Sequence, residues 1–201
     1  MIDLIEEAAI PIAMVGLLYA LPNTQLTRRL AKEGRLYAGH DASPEGKGDQ
    51  CTAGVNYETK RPRIEILRDY RKVLYEIYNP DAFCGRLERL SAMLDCSSRR
   101  KELPEGDIRR RMSTIRMVHE LLSRLPEGRE RFWKAFTTCM SRNPQSVRAI
   151  VTYMAFYLHV GPYSRLVIKQ IDRQIEDLEH GRFEVPQLLP PVIAEPVAVN
   201  A

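Results

Sequence analysis

From residue 62 onward, apolar positions recur at steps of three and four; before it they do not. Pro62 opens a stretch running to Tyr78 in which Ile66, Leu67, Tyr70, Val73, Leu74 and Ile77 share one side of a helix. Asn79-Pro80 restarts the chain, Asn as cap and Pro in the first helical position, and Phe83, Leu87, Leu90 and Leu94 follow at helical spacing. Asp107 is expected to cap a helix carrying Ile108, Met112, Ile115, Val118, Leu122 and Leu125, closed by Pro126. The next helix turns Phe132, Trp133, Phe136 and Met140 inward, and after Asn143-Pro144 another carries Val147, Ile150, Val151, Met154 and Leu158. Gly161-Pro162 is expected to interrupt it, leaving a last helix with Leu166, Val167, Ile171, Ile175 and Leu178 up to His180-Gly181. Six amphipathic stripes that can bury one another predict an all-helical domain over residues 62–180.

The first third reads differently. Residues 2–9 look like the last turns of a helix, and Pro11 then forces extended backbone. Ile12 to Leu18 is a continuous apolar run closed by Leu21-Pro22-Asn23-Thr24, the pattern of a strand buried on both faces. Asn23 or Thr24 caps a helix from Gln25 to Glu33, with Leu26 and Leu30 inward, and Gly34 stops it. Residues 1–36 thus form an α/β unit. Residues 37–61 are a connecting loop with several glycines and at most one short strand, Ala53 to Tyr57. Such a loop is either functional or a surface excursion between subdomains. Residues 181–201, with Pro186, Pro190, Pro191 and Pro196 and no periodicity, are expected to be extended or disordered. A strand buried on both faces needs neighbours, and the rest of the chain has almost no strand-like run to supply them.

Composition sets broad limits on this picture. The 201 residues, 44% hydrophobic and 28% charged, suit a soluble globular chain. A net charge of +4 is weak for a dedicated nucleic-acid binder, so nucleic acid is not an expected partner. The apolar opening follows Asp3, Glu6 and Glu7 without a basic leader and is too short to span a bilayer, so a cytoplasmic location is expected. Cys51, Cys84, Cys96 and Cys139 are scattered and offer no local metal site; Cys84 and Cys139 belong to helical cores, and Cys51, in a polar loop, is the one suited to reactivity. His40, His119, His159 and His180 are dispersed, and no catalytic residue is assigned. The densest charge is Arg99-Arg100-Lys101 with Arg109-Arg110-Arg111, either a solvated helix end or a grip for an anionic partner.

Two blocks carry a family resemblance. Residues Met14 to Leu26 followed by Arg29 to Leu36 resemble the closing strand and helix of cobalamin-binding radical S-adenosylmethionine enzymes. Gly48 to Tyr57, Tyr70 to Leu74 and Ile77-Tyr78-Asn79-Pro80 resemble the entry to that family's helical C-terminal domain. The resemblance implies a mainly α chain, the terminal α/β unit of a partial (β/α) barrel followed by an all-helical domain. It implies that Gly16, Tyr19, Pro22, Asn23 and Thr24 border an S-adenosylmethionine pocket, since loops after barrel strands line the active mouth and glycine permits close approach. Those residues would also serve simply to turn the chain and cap the helix. The complete family enzyme carries S-adenosylmethionine, a 4Fe-4S cluster and cobalamin. This chain lacks the family's Cys-x-x-x-Cys-x-x-Cys run and its cobalamin domain, so it is expected to bind none of the three alone and to be inactive alone. The implied partner is a cluster-bearing barrel fragment, whether the chain is a truncated gene, half of a split gene or a retained module. The competing expectation is an independent helical module binding a protein or anionic partner through the basic segment 99–111.

Overall fold

The computed structural model describes residues 1–39, 55–96, 105–125 and 128–191. Seven α-helices lie in this part: α1 (Ile2–Glu7), α2 (Gln25–Lys32), α3 (Arg63–Tyr78), α4 (Pro80–Met93), α5 (Glu105–Ser123), α6 (Gly128–Arg142) and α7 (Val147–Glu179). None of them is long and apolar enough to cross a membrane. The chain divides into two compact units, one of Met1–Met14 with Val73–Leu166, the other of Val15–Lys72 with Val167–Ala201.

The first unit is a helical bundle with an apolar centre. Phe83 and Leu87 of α4, Val118 and Leu122 of α5, Phe132 and Cys139 of α6, and Ile150, Met154 and Tyr157 of α7 are buried together. Each large apolar side chain so buried contributes roughly 1.5–3 kcal/mol. The rings of Phe83 and Phe132 lie 4.5 and 4.9 Å from that of Tyr157. The Tyr157 hydroxyl donates to the Tyr78 carbonyl at 2.8 Å, satisfying a carbonyl left open where α3 ends. Asn79 serves two helices. Its Oδ1 accepts from Ala82 N–H at 2.9 Å, capping α4, while its Nδ2 donates to Glu76 O at 3.0 Å and Tyr75 O at 3.2 Å, closing α3. The short helix α1 is anchored by charge: Glu6 pairs with Arg89 and with Arg86, which is fully buried and also donates to the Ile77 carbonyl.

In the second unit Thr24 caps α2, its Oγ1 accepting from Thr27 N–H at 3.2 Å, and Gly34 at φ +65° ends the helix in the left-handed conformation that favours glycine. Leu36 then makes an isolated antiparallel bridge with Tyr57, and Tyr37 makes one with Leu188. Residues 181–191, expected to be extended or disordered, are thus extended and held: Ala38 N–H donates to Gln187 O at 2.7 Å, and Leu189 N–H to Leu36 O at 2.8 Å. The Arg63 guanidinium sits 4.8 Å over the Phe183 ring, adding a cation–π contact. Main-chain pairing holds this stretch, in which side-chain periodicity carries no signal. Residues 192–201 lie outside the described part.

Three expectations are corrected. Over Ile12–Leu18 no strand forms among the described residues, so the barrel unit is not seen. The run is not buried on both faces either: Leu17 and Ala20 are buried, but Met14 is 99% and Leu18 63% exposed. A ladder needs a neighbouring strand, and here side chains take part of its place. The Tyr78 hydroxyl donates to Ala13 O within the first unit, and the Tyr70 hydroxyl to Val15 O at 3.2 Å within the second. Second, Gly161-Pro162 does not interrupt α7, which runs from Val147 to Glu179. Pro162 is exposed, and Gly161 leaves room for the Tyr157 ring, which a Cβ there would approach to 2.6 Å. Five helices rather than six therefore cover residues 62–180 among the described residues, with a 3-10 turn at Pro144–Ser146. Third, Trp133 of α6 is 48% exposed; Ala135 and Cys139 take the buried positions beside Phe132.

Candidate functional site

The residues marked by the family resemblance lie on one loop of the second unit, before α2. Gly16, Pro22 and Asn23 are exposed, and Tyr19 and Thr24 are half-buried. Asn23 adopts φ +64°, a left-handed conformation that asparagine tolerates better than most residues. The Leu21 carbonyl accepts from Thr24 Oγ1 at 2.9 Å, from Thr24 N–H at 3.3 Å and from Thr27 Oγ1, so turn and cap are one hydrogen-bonded knot. The residue that sequence reading missed is Asn56. Its buried amide clamps Ala20 both ways, accepting from Ala20 N–H at 2.9 Å and donating to Ala20 O at 3.0 Å. A lone asparagine between Val55 and Tyr57, two apolar neighbours, was the available signal.

A second feature lies between α5 and α6 in the first unit. Trp133 stacks on Phe136 with ring centroids 5.6 Å apart, and the edge of His119 meets it at 4.8 Å. This pair divides an open groove into two lobes. One, of about 1060 Å³, is bordered by Leu125, Arg129, Glu130, Lys134 and Thr137; the other, of about 500 Å³, by Arg109, Met112, Ser113, Ile115 and Arg116. Arg131, also on the first lobe, is paired with Asp81 at 2.6 Å. Arg109, Arg116, Arg129 and Lys134 enter no ion pair among the described residues. The smaller lobe has a partly apolar floor, two cations and no bordering carboxylate among those residues.

Among the described residues no three His, Cys, Asp or Glu side chains are grouped to hold a metal. Cys84, Cys96 and Cys139 are free and buried. Burial, reinforced by Glu88 and Asp81, pushes the Cys84 thiol up to about 12, and burial raises Cys139 as well. Among the described residues these thiols are not grouped as a cluster site requires. Cys51 and His40 lie outside the described residues, as do Arg99, Arg100 and Lys101.

The chain belongs to the DUF4070 family, a domain of unknown function whose sequence pattern matches residues 24–173. Among curated proteins it is similar to an uncharacterized methyltransferase of Synechocystis sp., 28% identical over 197 residues, which cover 94% of this chain and 35% of that protein. It is also similar to the hopanoid C-2 methylase of Rhodopseudomonas palustris, 25% identical over 138 residues, 67% of this chain and 24% of the methylase. The chain thus spans about a third or less of the curated relatives it matches. No solved structure matches it.

Proposed function

We propose that this chain is the C-terminal, substrate-site portion of a cobalamin-binding radical S-adenosylmethionine methyltransferase, inactive until joined by cluster-bearing and cobalamin-bearing parts. The observation that carries the reading is the match over nearly the whole chain to about a third of a methyltransferase. The segment before α2 supports it. Met14 and Leu18 face solvent, and no ladder partner lies along residues 11–20 among the described residues, an arrangement suited to a strand completed by a sheet from another part of a larger protein. Under this reading Gly16, Tyr19, Pro22, Asn23 and Thr24 border S-adenosylmethionine on the completed sheet, and the Asn56 clamp on Ala20 fixes the loop that carries them. The thiols described above do not suit the cluster, so that group and the cobalamin belong to the partner.

Co-expression with a cluster-bearing barrel polypeptide from the same genome, followed by co-purification and anaerobic reconstitution, tests this. The expected result is a stable complex that, supplied with cobalamin as methyl acceptor and with a reductant, forms S-adenosylhomocysteine from S-adenosylmethionine, with turnover lost when this chain is omitted. Equal turnover without the chain would overturn the proposal.

One observation favours a second reading, an independent helical module acting through the basic 99–111 segment. Arg109, Arg110 and Arg111 are exposed and form no ion pair among the described residues, and Arg110 and Arg111 share a groove of about 440 Å³ with Arg148 of α7. Tight RNA or acidic-protein binding that survives moderate salt, lost in Arg110→Gln/Arg111→Gln, would select it.

A further inference from the structure

We infer that the smaller lobe of the α5–α6 groove is a binding site for an anionic amphiphile, a molecule with an apolar body and a phosphate or carboxylate head. The body would lie on Met112, Ile115 and the exposed half of the Trp133 ring, and the head would meet Arg109 and Arg116. Met112 is 61% and Trp133 48% exposed, an unusual position for two large apolar side chains that face one groove. The two arginines are seven residues apart on α5, about two helical turns, so both lie on the rim of one lobe. With no bordering carboxylate there among the described residues, an anion meets net positive charge on desolvating the apolar floor. The larger lobe includes Glu130 and a paired Arg131, so its field is weaker. The cavity beneath His119 and Trp133, about 20 Å³, holds no more than a water, so the ligand lies along the groove rather than under it.

Nucleic acid fits less well. Single-stranded binding uses successive exposed aromatic platforms, whereas this lobe has one exposed aromatic ring, Trp133, with the half-buried His119 edge beside it. If the chain is the substrate portion of a methyltransferase, the amphiphile is the class of its methyl acceptor. That clause rests on the function proposed above; the binding itself does not.

Trp133 is the chain's single tryptophan, so its emission reports on this groove alone. The full chain is titrated with dodecyl phosphate and with dodecanoate below their micelle-forming concentrations, alongside dodecyl maltoside and inorganic phosphate. Saturable one-to-one binding with a blue shift is expected for both anions, and at least tenfold weaker binding for the neutral detergent and for free phosphate. Arg109→Gln/Arg116→Gln should weaken binding about tenfold or more, while Arg129→Gln/Lys134→Gln changes it less than about threefold. All four side chains are exposed, so circular dichroism should be unchanged; should the first pair unfold, Arg116→Gln alone and the salt dependence of the wild-type affinity give the same reading. Equal affinity for the neutral detergent, or insensitivity to both the arginine changes and salt, would overturn the inference. So would tighter binding, with the same Trp133 shift, of an RNA oligonucleotide or an acidic helical peptide. Binding upheld here while the methyltransferase complex fails to form would leave the groove assigned and the function above refuted.

Discussion

Gly161 and Tyr157 show how one atom constrains the first unit. The Tyr157 ring lies where a Gly161 Cβ would stand, 2.6 Å from Cε1, while its hydroxyl is committed to Tyr78 O. Gly161→Ala cannot be relieved by a side-chain swing without breaking that hydrogen bond. It should destabilise the chain by about 1–3 kcal/mol despite alanine's better helix propensity, read as a lower Tm or denaturant midpoint. Cys84 gives a pH dependence. Its thiol stays protonated in the folded chain up to about 12, whereas the unfolded chain loses the proton near its ordinary value of 9.0. The folded state then binds more protons than the unfolded one, so this contribution is complete below pH 9.0 and is lost as pH rises towards 12. The slope is at most about 1.4 kcal/mol per pH unit for one thiol. Denaturant midpoints at pH 8 and pH 10.5 should differ more in the wild type than in Cys84→Ala, once each is referred to its own value at pH 8.

At the scale of elements, helix ends and breaks separate what local chemistry sets from what packing sets. Asn79, Thr24 and Gly34 act where their residue types announce them, because caps and left-handed stops depend on atoms within a few residues. Pro162 does not. Its ring removes one intrahelical hydrogen bond and crowds the carbonyl four residues back, yet α7 continues because packing on both sides of the proline outweighs a penalty of about 3 kcal/mol. Since Pro162 is exposed, Pro162→Ala should raise stability by about 1–3 kcal/mol without changing helix content, checked by thermal melts and circular dichroism. The inward face of α6 teaches a related point. Phe132, Trp133 and Phe136 all fit an apolar stripe, but the buried positions go to Phe132, Ala135 and Cys139, and the larger indole is left on the groove.

For the whole molecule, the pairing of α1 with α4 matters most to how the chain can be divided. Arg86 is fully buried and its carboxylate partner is Glu6, so removing residues 1–14 leaves a buried guanidinium without its counter-charge. A chain that begins at residue 15 should therefore still melt cooperatively but about 3–5 kcal/mol less stably than the full chain, and Arg86→Met within it should recover part of the loss. Equal stability of fragment and full chain would show that the pair is dispensable. The helical periodicity after residue 62, the caps at Thr24 and Asn79, the restart at Asn79-Pro80 and the turn before α2 were legible in the sequence, since each rests on spacing or local hydrogen bonding; Asp107, expected as a cap, instead lies inside α5, which starts at Glu105. So was the oddness of Ile12 to Leu18, an apolar run without partners. Tertiary structure alone decided that this run joins no ladder among the described residues, that residues 187–189 pair with Leu36 and Ala38, and that Asn56 reaches back to Ala20. It alone brought His119 and Trp133 together between cations that enter no ion pair among the described residues. These contacts join residues too far apart along the chain for a periodic pattern to record them, and the backbone groups that make several of them are the same in every residue type but proline.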